Sequence, residues 1–300
     1  MKNQELKKKI KNYIYAYEHP GRIALSRKYP KLQKSIIFVR HLERNVKNFL
    51  DWRLQTRKSN KYFENIIARH QSLLRRKLGV SDPRLQEQKI TNLKQAIKKL
   101  DGIIIPAGKI FSLWKIVGKP SYEDGYVDGM LLSGGEVKEG LGGGMCQLSN
   151  FLYWIFLHAP TEIVERHHHS KDVFPDSGRT LPFGSGATIF YNFVDLQVKN
   201  VSKFPLQLKI WLTDDHLKGQ LLSGGRVIEK FHVIEKNHLF IKRAKKYFRY
   251  NEILREVQIE GRVIRIEKVT TNFAPVLYEV KGEYLKKNNF EVLDTDYKDL

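Results

Sequence analysis

The segment EGLGGGMCQLSN, residues 139–150, leads through Gly142, Gly143 and Gly144 to Cys146, the single cysteine of a 300-residue chain. An apolar run follows at once, so Cys146 falls in the first turn of a helix expected over about Gln147 to His158. Unpaired amides and the positive end of the helix dipole favour an anion there. Both effects favour thiolate over thiol, which predicts a Cys146 pKa below the ordinary thiol value of about 8.5. The glycines leave room for an incoming carbonyl, and their amides can donate to the oxyanion formed when sulfur attacks it. The plainer alternative is a thiol packed in the core behind a glycine turn, since free cysteine is among the most buried residue types.

A histidine run, ERHHHS at 165–170, follows TEIV, which reads as a strand. Two-residue periodicity puts His167 and His169 on one face and His168 on the other. Such a pair can supply a general base and a second polar contact for the thiol. Cys146, His167 and His169 could also bind zinc, but the chain lacks the paired CxxC or HExxH spacing that makes such a site specific. The metal reading therefore ranks behind the nucleophile, and no metal or cofactor is assigned. GLGGG follows no convincing strand of a βαβ unit and lacks the Lys-Ser/Thr of a phosphate loop, which argues against a nucleotide site.

The elements that must position these residues divide by charge. Residues 1–100 hold 26 Lys and Arg against 7 Asp and Glu, whereas residues 101–300 hold 27 against 25. A basic excess of this kind attracts phosphate, on nucleic acid or on an anionic lipid surface. Lys31 to Leu54 repeats apolar residues at spacings of three and four, which predicts an amphipathic helix. A second helix is expected over Tyr62 to Leu78 and a third over Leu85 to Leu100, closed by Gly102. No zinc-finger, RRM or KH signature accompanies the basic helices, so an anionic membrane surface bound through residues 1–80 ranks ahead of nucleic acid.

Beyond Gly102 the chain turns to short apolar runs between glycines and prolines, and past Pro160 it reads as strands, with SGG at 223–225 as a hairpin turn. The helix after Cys146 is apolar nearly all round, hence buried. The expectation is an α+β protein: a basic helical region over 1–84, a mixed β-rich domain over 85–285 around one buried helix with the cysteine at its N-terminus, and a polar tail over 286–300. A single cysteine excludes an internal disulfide, and neither an export signal nor a long apolar run is visible, so the expected location is cytoplasmic, with peripheral attachment to the inner membrane.

GGGMCQLSN followed by EIVERHHHS resembles the VanW family, named for an accessory protein encoded with vancomycin resistance. Pro106, Gly108, Phe111 and Ser112 match the family's upstream Pro-x-Gly-x-x-Phe-Ser segment. DGY at 124–126 follows in order, and Asp195 and Asn200 lie in the strand that closes the motif. The resemblance covers at least residues 90–215. Some exported members are associated with L,D-transpeptidase chemistry, in which a cysteine attacks a peptide carbonyl and an amine resolves the thioester. It implies Cys146 as nucleophile, His169 as base and His167 as a supporting contact, acting on a peptide or cell-wall precursor. Gln147 and the Gly142–Gly144 amides are the implied carbonyl-polarising groups, with Ser149 and Arg166 beside them. Exported relatives usually carry Asp where this chain has Gly186, so Glu165 and Asp195 are orienting acids by position alone. The competing reading is a noncatalytic module that binds the same precursor.

Overall fold

The computed structural model describes residues 2–21, 29–75, 82–133, 136–168, 170–173, 175 and 181–295. It is an α+β protein. The main sheet has five strands in the order β1 (Arg57–Lys58), β3 (Ile103–Ile105), β9 (Leu206–Leu212), β10 (His216–Ser223) and β2 (Asn65–Leu73). Helices α3 (Pro83–Leu100) and α5 (Met145–Leu157) share a core with it: Leu93, Ala96, Leu148, Phe151 and Leu152 pack with Leu208, Ile210 and Leu221. Gly219 on β10 lets α5 come close, because a Cβ there would stand 2.9 Å from the Phe151 ring.

Local chemistry explains the element boundaries. Asp82 caps α3 by accepting from the Arg84 amide at 2.8 Å, and Pro83 occupies the first helical position, where its missing N–H costs nothing. A three-stranded sheet, β4 (Ile110–Ser112), β8 (Gln197–Asn200) and β7 (Thr161–Glu165), contributes Phe111 and Val198 to the same core. The two-stranded β5 (Asp128–Ser133) and β6 (Glu136–Leu141) form a hairpin that delivers the glycine run to α5.

A second sheet, β13 (Arg262–Pro275), β12 (Lys246–Ile259), β11 (Lys230–Arg243) and β14 (Glu291–Asp294), holds a smaller core. The amino-terminal helix α1 (Lys2–Glu18) closes it, with Ile10 and Ile14 packed on Leu239, Ile241, Phe248 and Tyr250. Its apolar face is therefore covered by protein. The short helix α4 (Leu113–Val117) follows β4, and α6 (Gly282–Lys287) precedes β14.

Several expectations are corrected. The amphipathic helix forms as α2 (Gln33–Leu50), but Tyr62 to Leu78 is not a helix; its described part carries the strand β2. Short apolar runs satisfy both periods, and the partner strand β10, some 150 residues away, decides between them. This pairing also joins residues on both sides of position 84 in one sheet. The SGG segment is not a hairpin turn, since β10 pairs with β9 and β2 while β11 pairs with β12. It begins a crossover from one sheet to the other. The polar tail carries the strand β14, which runs parallel to β11; residues 296–300 lie outside the described residues.

Candidate functional site

Cys146 is the second residue of α5, behind an N-cap Gly144 in the left-handed region at φ 93°. Each preceding glycine has a steric task. A Cβ on Gly143 would stand 2.0 Å from the backbone carbon of Gly129, and one on Gly144 would stand 2.1 Å from the buried Lys89 side chain. The hairpin and α3 thus clamp the turn from both sides. Gly143→Ala is expected to cost about 3 kcal/mol, because a backbone-to-backbone clash has no side chain to relieve it; urea unfolding measures the loss.

The amides expected to donate to an oxyanion already have acceptors within the protein. The amide of Gly142 donates to Val127 O at 3.0 Å, that of Gly143 to Gly140 O at 3.1 Å and that of Gly144 to Met130 O at 2.9 Å. All three are consumed in holding the turn. Gln147 is also committed, its Nε2 donating to Ser72 Oγ at 2.9 Å and Leu73 O at 2.7 Å on β2. Ser149 is fully buried and donates to Ala187 O and to Cys146 O. The amides without an acceptor among the described residues are those of Met145 and Cys146, the first two of the helix. These are the N–H groups a helix start leaves unpaired.

The segment 184–190 lies against the first turns of α5. The Ala187 amide donates to Asn150 Oδ1 at 2.6 Å, and the Ile189 amide faces the Cys146 sulfur, favouring its thiolate. On its other side the segment meets the histidine run, with the Thr188 amide donating to His167 O at 2.7 Å. One stretch of backbone therefore separates Cys146 from His167, and no hydrogen bond joins the two. The His167 ring is half-exposed, its Nε2 3.6 Å from Glu165 Oε1. His169 lies outside the described residues. Among the described residues no three His, Cys, Asp or Glu side chains converge to hold a metal.

The remaining candidates divide. Glu165 faces His167, accepts from the Asp195 amide at 2.9 Å and pairs with Arg44 of α2 at 2.6 Å. Asp195, which also approaches Arg44 at 3.8 Å, is a structural staple. Its buried carboxylate accepts from Ser112 Oγ at 2.6 Å, the Trp114 amide at 3.1 Å and the Leu196 amide at 2.8 Å, tying α4 to β8. It makes no hydrogen bond to a described histidine, so the orienting role does not extend to it. Arg166 is a clamp: it donates to Gly184 O, to Gly186 O at 2.8 Å and to Thr270 Oγ1 at 3.2 Å, and stacks over Tyr153. Its guanidinium holds the 184–186 turn against β13.

Burial also reverses the expected titration of the thiol. Cys146 keeps some solvent contact but packs against core side chains, and desolvation pushes its pKa above the ordinary value, outweighing the Ile189 amide that pulls it down. At neutral pH the resting form is then the thiol. Alkylation of the folded protein by iodoacetamide is expected to be slower at pH 7 than that of a free thiol, and to climb through pH values above about 8.5. The folded state keeps this proton at pH values where the unfolded chain has lost it, so the group's contribution to stability falls as pH rises through that window.

Two buried polar residues on α3 escaped the sequence reading. Asn92 donates to Gly143 O at 2.9 Å and Val127 O at 3.0 Å, and accepts from the Val127 amide at 2.8 Å, pinning the glycine turn. Lys89 is buried beneath Gly144, its ammonium on Leu74 O and, at 2.6 Å, on Gln86 Oε1. The available signal was that both fall on the apolar face of α3, at helical spacing from Leu93 and Ala96.

The site is thus a lone thiol at a helix start in an α+β core, reached through a glycine turn and bordered by a histidine-bearing segment. The family model described as VanW like protein matches residues 88–222. The chain is 31% identical over 196 residues to the vancomycin B-type resistance protein VanW of Enterococcus faecalis, covering 64% of this chain and 71% of that one. It belongs to the VanW family. It is also 28% identical over 118 residues to the uncharacterized protein YoaR of Bacillus subtilis, a stretch that covers 39% of this chain and 37% of that protein. No solved structure matches it.

Proposed function

We propose that this VanW-family protein transfers acyl groups through Cys146, with a peptide or cell-wall precursor as donor. The observation that supports this best is the pair of uncommitted amides, Met145 and Cys146, at the helix start that carries the chain's only thiol. In the proposed reaction His169 takes the thiol proton, and sulfur attacks the donor carbonyl carbon. The new C–S bond leaves an oxyanion that the two amides can meet. Collapse breaks the C–N bond, and the leaving amine takes the proton from the imidazolium. An acceptor amine, or water, then attacks the thioester, gives its proton to the imidazole and displaces the thiolate.

A thiol protonated at rest requires such a base, and this gives the test. The full chain is incubated with a stem pentapeptide and with an activated ester of its acyl part, and its intact mass is followed. A mass gain equal to the acyl group, removed by hydroxylamine and slowed by His169→Ala, is expected. The noncatalytic reading is favoured by the raised thiol pKa and the committed glycine amides; pentapeptide binding with no mass gain from either reagent would establish it instead.

A further inference from the structure

Helix α2 docks on the body of the protein with its polar side. Arg44 reaches Glu165 at 2.6 Å and Asp195 at 3.8 Å, and Asn192 donates to His41 O and to Asn45 Oδ1, both at 3.0 Å. The apolar stripe points outward. Phe38, Leu42, Val46 and Phe49 recur at spacings of three and four and are all exposed, Phe38 at 68% and Phe49 at 86%; Trp52 beyond the helix end is 75% exposed. A helix that turns its apolar face away from its own protein has a partner for that face.

Charge identifies the partner. By helical period Lys34 borders one edge of the stripe; on the other side the exposed Val39 and Leu50 widen it, and Glu43, Lys47 and Arg40 follow in that order, none of the three cations making a salt bridge with a described residue. Lys109 lies over the Trp52 ring, 3.9 Å from its centre, at the same end. Two copies paired through this stripe would bring like-charged edges together on chains that each carry +21. An exposed apolar strip on a helix whose flanks carry Lys34, Lys47 and Arg40 against one acid, Glu43, matches a bilayer interface whose headgroups are anionic. No helix of the described residues is long and apolar enough to cross a membrane, so the mode is a helix lying in the interface.

We infer that α2 is an interfacial membrane-docking helix that seats this protein on anionic lipid through Phe38, Leu42, Val46 and Phe49. Because α1 covers its own apolar face on the second sheet and residues 65–73 form a strand, the attachment resides in α2 and not throughout residues 1–80.

Co-sedimentation of the full chain with vesicles of phosphatidylcholine alone and with about one-third phosphatidylglycerol tests this. Binding is expected to the anionic vesicles and to weaken with salt. It should fall more than about tenfold in Phe38→Ser/Phe49→Ser, where two exposed rings are lost, and about a hundredfold in Lys34→Gln/Arg40→Gln/Lys47→Gln. An unchanged thermal midpoint shows that both variants fold. Failure to bind anionic vesicles overturns the inference, as does binding that ignores the Phe38/Phe49 change. A concentration-dependent dimer abolished by that change, in a protein that does not bind vesicles, would assign the stripe to a second copy. Salt-sensitive binding to duplex DNA or RNA without vesicle binding would assign the cations to nucleic acid.

Discussion

Replacing Cys146 by Ala is expected to abolish acyl capture altogether, and replacing it by Ser to lower it by at least about a thousandfold, while both variants fold. Three consequences of the site combine here. The sulfur is the chain's only thiol, so no second nucleophile of its kind can take over. A serine hydroxyl is a far weaker nucleophile at neutral pH, and a neighbouring imidazole recovers only part of that difference. The amides of Met145 and Cys146 belong to the backbone and survive both substitutions, so substrate binding should persist. The loss should therefore appear in kcat with little change in KM. A KM effect of equal size, or acyl capture that continues in Cys146→Ala, would place the chemistry elsewhere.

Arg249→Met carries the largest expected loss of stability, about 3–5 kcal/mol, because it removes the buried guanidinium that pairs with the Asp172 carboxylate. The two side chains pair at 3.2 Å and are only 1% and 3% exposed. Arg249 also donates to His238 Nε2 at 2.8 Å, and Asp172 accepts from Tyr278 Oη at 3.0 Å. The Asp172 backbone is held to Pro275 O and the Leu277 amide, both at 2.9 Å. Asp172 follows His169 by three residues, so this knot fixes one end of the histidine-bearing segment to the second sheet. Equilibrium urea unfolding of Arg249→Met, Asp172→Leu and the double variant measures the coupling. The double variant should recover much of the loss. Additive losses in the double variant would show that the pair contributes nothing jointly.

The cysteine, its helix and the family motif were legible because they are local: a glycine run, an apolar 13-residue helix and fixed spacings. The amphipathic period of α2 was equally plain, but its orientation was not. A period says which side is apolar, not which side faces the protein, and here the docking contacts are ion pairs from Arg44 and hydrogen bonds from the Asn192 side-chain amide. Strand β2 was misread because Ile66 and Ile67 fit either period until β10 is available. The acceptors of the glycine amides, Val127, Gly140 and Met130, lie in or beside the preceding hairpin, where no local pattern reveals them. The thiol's titration followed from core packing that no local pattern encodes.

The placement of β2 has a consequence for synthesis. Its one strand partner among the described residues, β10, spans His216–Ser223, so during translation the edge segment Asn65–Leu73 must wait about 150 residues for the strand that pairs it. Through Gln147 the cysteine helix leans on the same waiting strand, at Ser72 and Leu73. The thiol site is thus completed late, after most of the chain has been made, and loop closure over that distance makes this pairing a slow step. A nascent chain halted before residue 216 would expose an unpaired nine-residue strand, the kind of edge that recruits chaperones or neighbouring chains.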